Sequence, residues 1–275
     1  MTYLMSLILG LVQGVAEFLP ISSSGHLSIL QNWFGMEEPD NLFNVLLHFA
    51  TLIAVCVVYW RDIVEMIAEF FRGAASLVSR RGERGPVPPA RRLVMMVILG
   101  TLPLFLVLPI QDKVEALGGS NLFVGLALLV TGVILFVSDR LARGRKNART
   151  ATVADALLVG CAQAVAVIPG LSRSGSTIAA GMAVGFERTF AVRFSFLLSL
   201  PAVLGATLLK VIDVAKEGVD FSLLPVYLVG MVVAGVVGYF SIRLVNLLAQ
   251  KNKFGRFAYY CWAIGLVAIV TSFIL

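Results

Sequence analysis

Glu17, His26 and Arg173 lie in stretches that are otherwise apolar enough to be buried, and each stands beside a run of hydroxyls. Glu17 follows Gln13 at i+4, so the two share one helix face. A carboxylate in such a segment is costly to keep and points to function. The plainer reading is that Glu17 pairs with Arg173 to hold the fold. Ser22, Ser23, Ser24 and Gly25 form a tip that can turn N–H groups and hydroxyls toward one point, which suits an anion. A second tip has Ser172, Arg173, Ser174, Gly175, Ser176 and Thr177. The planar guanidinium of Arg173 is shaped to hold phosphate oxygens at two points. His26 reads either as an acid, base or nucleophile or as a satisfied structural group. His48, in the middle of an apolar run, could line the same pocket, but hydrogen-bonded structure is the preferred reading.

The two tips are copies of one stretch. Residues 10–26, GLVQGVAEFLPISSSGH, align at an offset of 150 with residues 160–176, GCAQAVAVIPGLSRSGS. The match includes Gly10/Gly160, Gln13/Gln163, Ser22/Ser172, Ser24/Ser174 and Gly25/Gly175. Each copy is an apolar run stopped by a Pro and a Ser/Gly tip, too short to cross a bilayer comfortably. Polar non-helical backbone survives at membrane depth only under a cover of protein or in a water-filled cavity. The tips are therefore expected to meet inside the membrane. They are chemically unequal: Glu17 aligns with Val167, His26 with Ser176, and Arg173 with Ser23. One repeat supplies acid–base groups and the other the cation, a division that an enzyme needs and a symmetric carrier does not.

The elements that must position these groups follow from composition. The chain is 59% hydrophobic and only 14% charged, against about 25% charge in soluble domains, so it is read as an integral membrane protein. The start has no positive region or cleavage site, and no removable signal peptide is expected. Cys56, Cys161 and Cys261 lack metal-like spacing and are read as small buried hydrophobes. The +6 net charge lies in loops between apolar runs, which records orientation and excludes a nucleic-acid groove.

Six spans are expected, at 43–60, 93–110, 122–138, 190–212, 223–248 and 257–275, with bends at Pro103 and Pro201 and an interfacial helix after Arg61. A loop is expected around Gly35 and Pro39, and a breaker-rich one ahead of residue 89. Basic loops 61–92, 139–152 and 243–256 belong inside. Loops 111–120 and 213–222, with Lys113 and Lys216, belong outside. The first tip segment, about 1–30, then re-enters from outside and the second, about 153–186, from inside. The expected fold is all-α: six transmembrane helices plus two re-entrant hairpins in an inverted 3+3 repeat. The repeats are 1–138 and 139–275, with the site at their interface. Spacings at Gly10/Gly14 and Gly230/Ala234/Gly238 are assigned to helix packing, and the latter stripe also permits a homodimer.

At these residues the chain resembles the undecaprenyl-diphosphatase family, the bacitracin-resistance type of membrane phosphatase. The first family motif, (E/Q)xxxE before a Pro and a Ser-rich turn ending in GH, is met by Gln13, Glu17 and PISSSGH. The second, PGxSRSxxT, is met by Pro169, Gly170, Ser172, Arg173, Ser174 and Thr177. FSFLLSLPA at 194–202 is also typical. The resemblance covers essentially the whole chain. It implies hydrolysis of undecaprenyl diphosphate to undecaprenyl phosphate in a bacterial inner membrane. The pocket would be open to the periplasmic side, and Mg²⁺ or Ca²⁺ would assist. Glu17, Ser23, His26 and Arg173 would be catalytic. Ser22, Ser24, Gly25, Ser172, Ser174, Gly175, Ser176 and Thr177 would bind substrate, and Gln13 and Glu17 would hold the metal. Gln13 departs from the second glutamate that many members carry. A transporter or flippase of a phosphorylated polyprenyl lipid is the alternative, since inverted repeats with broken helices also build carriers.

Overall fold

Two short helical hairpins set among longer helices form the chain in the computed structural model, which describes residues 1–36, 41–78, 86–141, 144–217, 221–251 and 254–274. Pro39, Arg80, Arg81, Arg84, Arg143 and Lys253 lie outside the described residues. In order the helices are α1 (Tyr3–Ala16), α2 (Ser23–Trp33), α3 (Asn41–Val58), α4 (Trp60–Val78), α5 (Pro89–Thr101), α6 (Gln111–Glu115), α7 (Asn121–Leu141), α8 (Val153–Val165), α9 (Arg173–Ala183), α10 (Arg188–Glu217), α11 (Leu224–Gln250) and α12 (Arg256–Thr271). Among the described residues there is no strand, only an isolated bridge between Lys146 and Phe186.

The hairpins are α1–α2 and α8–α9. At 14 and 13 residues, α1 and α8 span only about 20 Å each, short of the ~30 Å hydrocarbon core. Thr2 caps α1 through the Met5 N–H, and Thr152 with Asp155 closes a capping box on α8. Pro20 and Pro169 lie just past their ends, where the missing N–H and the fixed φ end the helix. Gly10 and Gly160, the aligned pair, do the same packing work. A Cβ on Gly10 would lie 2.4 Å from the Gly230 carbonyl oxygen of α11, and one on Gly160 would lie 2.3 Å from that of Gly100 in α5. Both hairpins thus enter by laying a glycine on a neighbouring backbone.

Among the described residues, four helical runs are long and apolar enough to cross a membrane: Pro89–Gly119, Asn121–Arg140, Arg188–Leu209 and Leu224–Gln250. Leu42–Val58 with Trp60–Ser76 makes a fifth if this pair, bent by 85°, is one span. Six are expected from the sequence; the last, α12, has 16 residues and reaches only about 24 Å. It lies along α7, where Gly125 and Gly265 bring the backbones together. The expected span 93–110 breaks at Thr101. Pro103 and Pro109 turn it into short 3₁₀ pieces, Leu102–Leu106 and Leu108–Ile110, followed by α6. Beyond Ile212, where a loop is expected, α10 continues to Glu217 and carries Pro201 inside it.

The expected cytoplasmic segments meet on one basic face. Arg91 and Arg72 bond Glu69, Arg193 bonds Asp62 at 2.7 Å, Arg188 pairs with Asp139, and Lys146 bonds Asp155 at 2.9 Å. Tyr59 reaches Asn246 near the end of α11 at 2.9 Å. The Gly230/Ala234/Gly238 stripe is consumed within the chain. A Cβ on Gly230 would strike Ser6 and Phe43, and one on Gly238 would strike Phe18. It therefore offers no surface for the expected dimer contact. Cys261 is buried, Cys56 is partly exposed, and Cys161 lies exposed on α8 rather than buried as expected.

Candidate active site

The two tips touch. Gly25 lies against Gly170, where a Cβ would sit 3.1 Å from the Gly170 Cα, and Gly175 lies against Pro20, 3.3 Å from its Cβ. Gly170 has φ +92°, a backbone that an L side chain rarely adopts, and its Cβ would strike Ala127 and Val124. In each tip the N-cap serine repeats one bond. Ser22 Oγ accepts from the Gly25 N–H at 3.2 Å, and Ser172 Oγ accepts from the Gly175 N–H at 3.0 Å. The starts of α2 and α9 are thereby fixed face to face.

Glu17, at the C-terminal cap of α1, is the centre of the site. Its carboxylate is buried and accepts from Gln13 Nε2 at 3.0 Å and from Ser23 Oγ at 2.7 Å. Arg173, from the first turn of α9, pairs with the other carboxylate oxygen. His48 Nε2, from α3, stands 3.4 Å from Glu17 Oε2. The His48 Nδ1 lies 2.8 Å from the Asn44 carbonyl, which only accepts, so Nδ1 carries a proton.

These groups form the polar end of a cavity of about 360 Å³. Glu17, Ser23, Ser24, His48, Gln163, Ser172, Arg173 and Ser174 line that end. Leu104, Phe105, Val107 and Leu108 from the 3₁₀ segment, and Pro201, Val203, Ala206 and Leu209 from α10, form the apolar wall, with Gln111 and Glu115 beyond them. Gln163 is 1% exposed, and neither its Nε2 nor its Oε1 has a partner among the described residues; Gln13 Oε1 is likewise unpaired. Unpartnered buried polar atoms call for an explanation, and Gln163 is among the residues that line the cavity.

Some residues expected at the site stand elsewhere. His26 does not line the cavity. Its Nδ1 donates to the Ser22 carbonyl at 2.8 Å, its Nε2 meets the Tyr260 hydroxyl at 2.9 Å, and its ring stacks on that of Tyr260. Ser22 has φ +70°, a strained backbone for a residue with a side chain, and His26 braces it. His26 thus takes the structural role that was one of its two readings, while α3 brings His48 to Glu17 in the pocket. Gln13, Ser22, Gly25, Gly175, Ser176 and Thr177 also lie outside the cavity lining, Gln13 meeting the site only through Glu17. Ser22, Gly25 and Gly175 build the tips, and Thr177 bonds Ser195 at 2.6 Å. His48 lines the cavity, against the preferred reading of it as structure, and Gln163, Gln111 and Glu115 are additions; of these only Gln163 carried a signal, its match to Gln13.

These features define a class: a helical, multi-pass membrane protein with a buried Glu–Arg pair beside an apolar-walled cavity. Residues 6–267 match the family described as bacitracin resistance protein BacA, and the chain belongs to that family. It is 39% identical over 277 residues to an undecaprenyl-diphosphatase of Methanosphaera stadtmanae, covering 99% of each chain. It is 39% identical over 275 residues to one of Methanobrevibacter smithii, covering 99% of this chain and 98% of the relative. It is 38% identical over 270 residues to one of Desulforapulum autotrophicum, covering 97% of each.

Proposed function

We propose that the chain hydrolyses undecaprenyl diphosphate to undecaprenyl phosphate and phosphate, recycling the lipid carrier of cell-wall glycan synthesis and thereby conferring bacitracin resistance. The observation that carries this is the meeting of Glu17, Ser23 and Arg173 at the polar end of a cavity with hydrocarbon walls. A lipid diphosphate has that same polarity. Family membership and the relatives' shared name support it.

In the resting site Arg173 and Glu17 neutralise each other. An arriving diphosphate competes for the guanidinium, which turns its fork to the phosphate oxygens and leaves Glu17 free to take a proton. Ser23 Oγ, already donating to Glu17, attacks the terminal phosphorus as its proton passes to the carboxylate. The bond to the bridging oxygen breaks, and undecaprenyl phosphate leaves. Water then releases phosphate from Ser23, and the serine regains its proton. Arg173 and the first turns of α2 and α9 stabilise the charge spread over the transferred group.

A divalent cation also belongs to this proposal. Among the described residues no group of three His, Cys, Asp or Glu side chains can hold a metal alone. One carboxylate, Glu17, and the unpaired Gln13 Oε1 fit a Mg²⁺-like ion completed by diphosphate oxygens. When bound, the ion would neutralise phosphate charge.

The proposed arrangement in the membrane is the inverted repeat, with six spans and two re-entrant hairpins. Parallel packing supports it. Along α1, Ser6 bonds the Val226 carbonyl, Gly10 meets Gly230, and Gly14 meets Ala234 of α11. Along α8, the segment from Ala151 to Gly160 follows α5 from Arg92 to Gly100. α5 leaves the basic face and α11 returns to it, so the hairpins enter from opposite sides. With the basic face cytoplasmic, the cavity mouth near Glu115 opens on the outer, periplasmic side of the inner membrane.

The deciding experiment is phosphate release from undecaprenyl diphosphate by purified protein with Mg²⁺, beside Glu17→Ala and Arg173→Ala. Release by the parent and its loss in both variants are expected; undiminished turnover in both would end the proposal.

A further inference from the structure

The polar-headed cavity is not the only space beside Pro201. A second cavity, of about 500 Å³, lies between α4, α5 and α10 and is apolar almost throughout. Ile63 and Ile67 of α4, Val97 and Ile98 of α5, and Leu197 and Leu200 of α10 line it. It shares Thr101, Phe105 and Pro201 with the first cavity. Along both helices the two follow one another. On α5 and its 3₁₀ extension, the second cavity takes Val97 to Phe105 and the first takes Thr101 to Leu108. On α10 the second takes Leu197 to Pro201 and the first takes Pro201 to Leu209. The first therefore lies toward Glu115, and the second lies deeper, toward the basic face.

The junction has a local cause. A proline inside a helix lacks an N–H and crowds the preceding turn, so α10 cannot pack there as a regular rod. On the facing side α5 gives way to the 3₁₀ turn at Leu102. Two irregularities face each other, and Thr101, Phe105 and Pro201 between them line both cavities. Ile67, Ile98 and Phe105 are about half exposed or more, at 52%, 47% and 61%, so the second cavity also opens sideways to lipid. Its α4 wall is held in place by Glu69 with Arg91 and by Asp62 with Arg193.

We infer that the second cavity binds the polyisoprenoid tail of the substrate, threaded past Thr101, Phe105 and Pro201 while the diphosphate sits on Arg173. This rests on the diphosphatase reading. The occupant follows from continuity. A lipid held by its headgroup at Arg173 runs along the apolar wall of the first cavity and meets the shared residues next. A bilayer lipid without a diphosphate has nothing to hold it there. The groove thus makes turnover depend on tail length, since a short tail ends before the shared residues.

The test compares undecaprenyl with farnesyl diphosphate on the parent protein and on Ile67→Trp and Ile98→Trp, whose indoles fill the groove. Each variant should lose at least about ten-fold in kcat/KM for the long substrate, the scale of lost apolar pocket contacts, with farnesyl diphosphate turnover unchanged. Equal losses on both substrates, or no loss on either, would overturn the inference. A long-chain diphosphate with a photoreactive group near the tail end should label α4, the 97–105 stretch or the 197–201 stretch of α10 in the unmodified protein; labelling confined to residues outside these would overturn it even if the variants fail to fold. Absence of phosphate release from both substrates by the parent would instead reject the diphosphatase reading, while the labelling still tests the groove.

Discussion

Replacing Gln163 with Leu separates a ligand-binding role from a structural one by the sign of two effects. The side chain is 1% exposed, and both polar atoms of its amide lack partners among the described residues. An unsatisfied buried group costs about 1–3 kcal/mol, so an apolar side chain of similar size removes roughly 2 kcal/mol of penalty even at the low end. For a chain of this size that raises Tm in detergent by about 4–8 °C. The same change removes a hydrogen bond to a charged phosphate oxygen, worth about 1.5–3 kcal/mol, which lowers kcat/KM roughly 10- to 160-fold. Thermal unfolding and phosphate release on one preparation read both numbers. A lower Tm with unchanged kcat/KM would refute the reasoning and make Gln163 part of the scaffold.

Ser23→Ala should lower kcat by at least about 10³-fold by removing the nucleophile, and brief mixing with terminally labelled undecaprenyl diphosphate should leave label on the parent but none on the variant. Arg173→Lys should restore only part of the activity that Arg173→Ala loses, because the charge remains without the two-point fork; full rescue in a phosphate-release assay would argue against bidentate holding. His26→Asn should cost about ten-fold in kcat through a loosened Ser22 and leave the pH–rate profile in place, whereas loss of one limb of that profile would make His26 a proton carrier. Gly160→Val, pressed on the Gly100 carbonyl, should abolish accumulation of folded protein, while Gly119→Ala, with nothing within 4 Å of the added Cβ, should leave it unchanged; yield and gel-filtration profile decide.

The hairpins were legible because they are local, and the distant Glu17–Arg173 pairing because the repeat marks the two tips as partners. A repeated apolar run, a proline and a serine cap act within a few residues, and duplication marks both ends of the pair. His48 was not legible, since its nearness to Glu17 depends on how α3 lies against the tip. The engagement of His26 was hidden for the same reason, because Tyr260 is 234 residues away. Residues 102–110 read as the end of a span bent at Pro103; that Pro103 and Pro109 together turn them into 3₁₀ pieces within the same run was not legible, because hydropathy does not distinguish helix types. The glycine stripe on α11 was visible as a close-packing surface, but spacing alone says nothing about which helix occupies it.

The contact of Gly25 with Gly170 and of Gly175 with Pro20 has an evolutionary corollary. Two identical halves meeting this way would carry every charged group twice or not at all. A junction with a single acid facing a single guanidinium therefore needs halves that differ. Tandem fusion into one polypeptide then guarantees that every assembled molecule contains both unlike parts in a fixed one-to-one ratio.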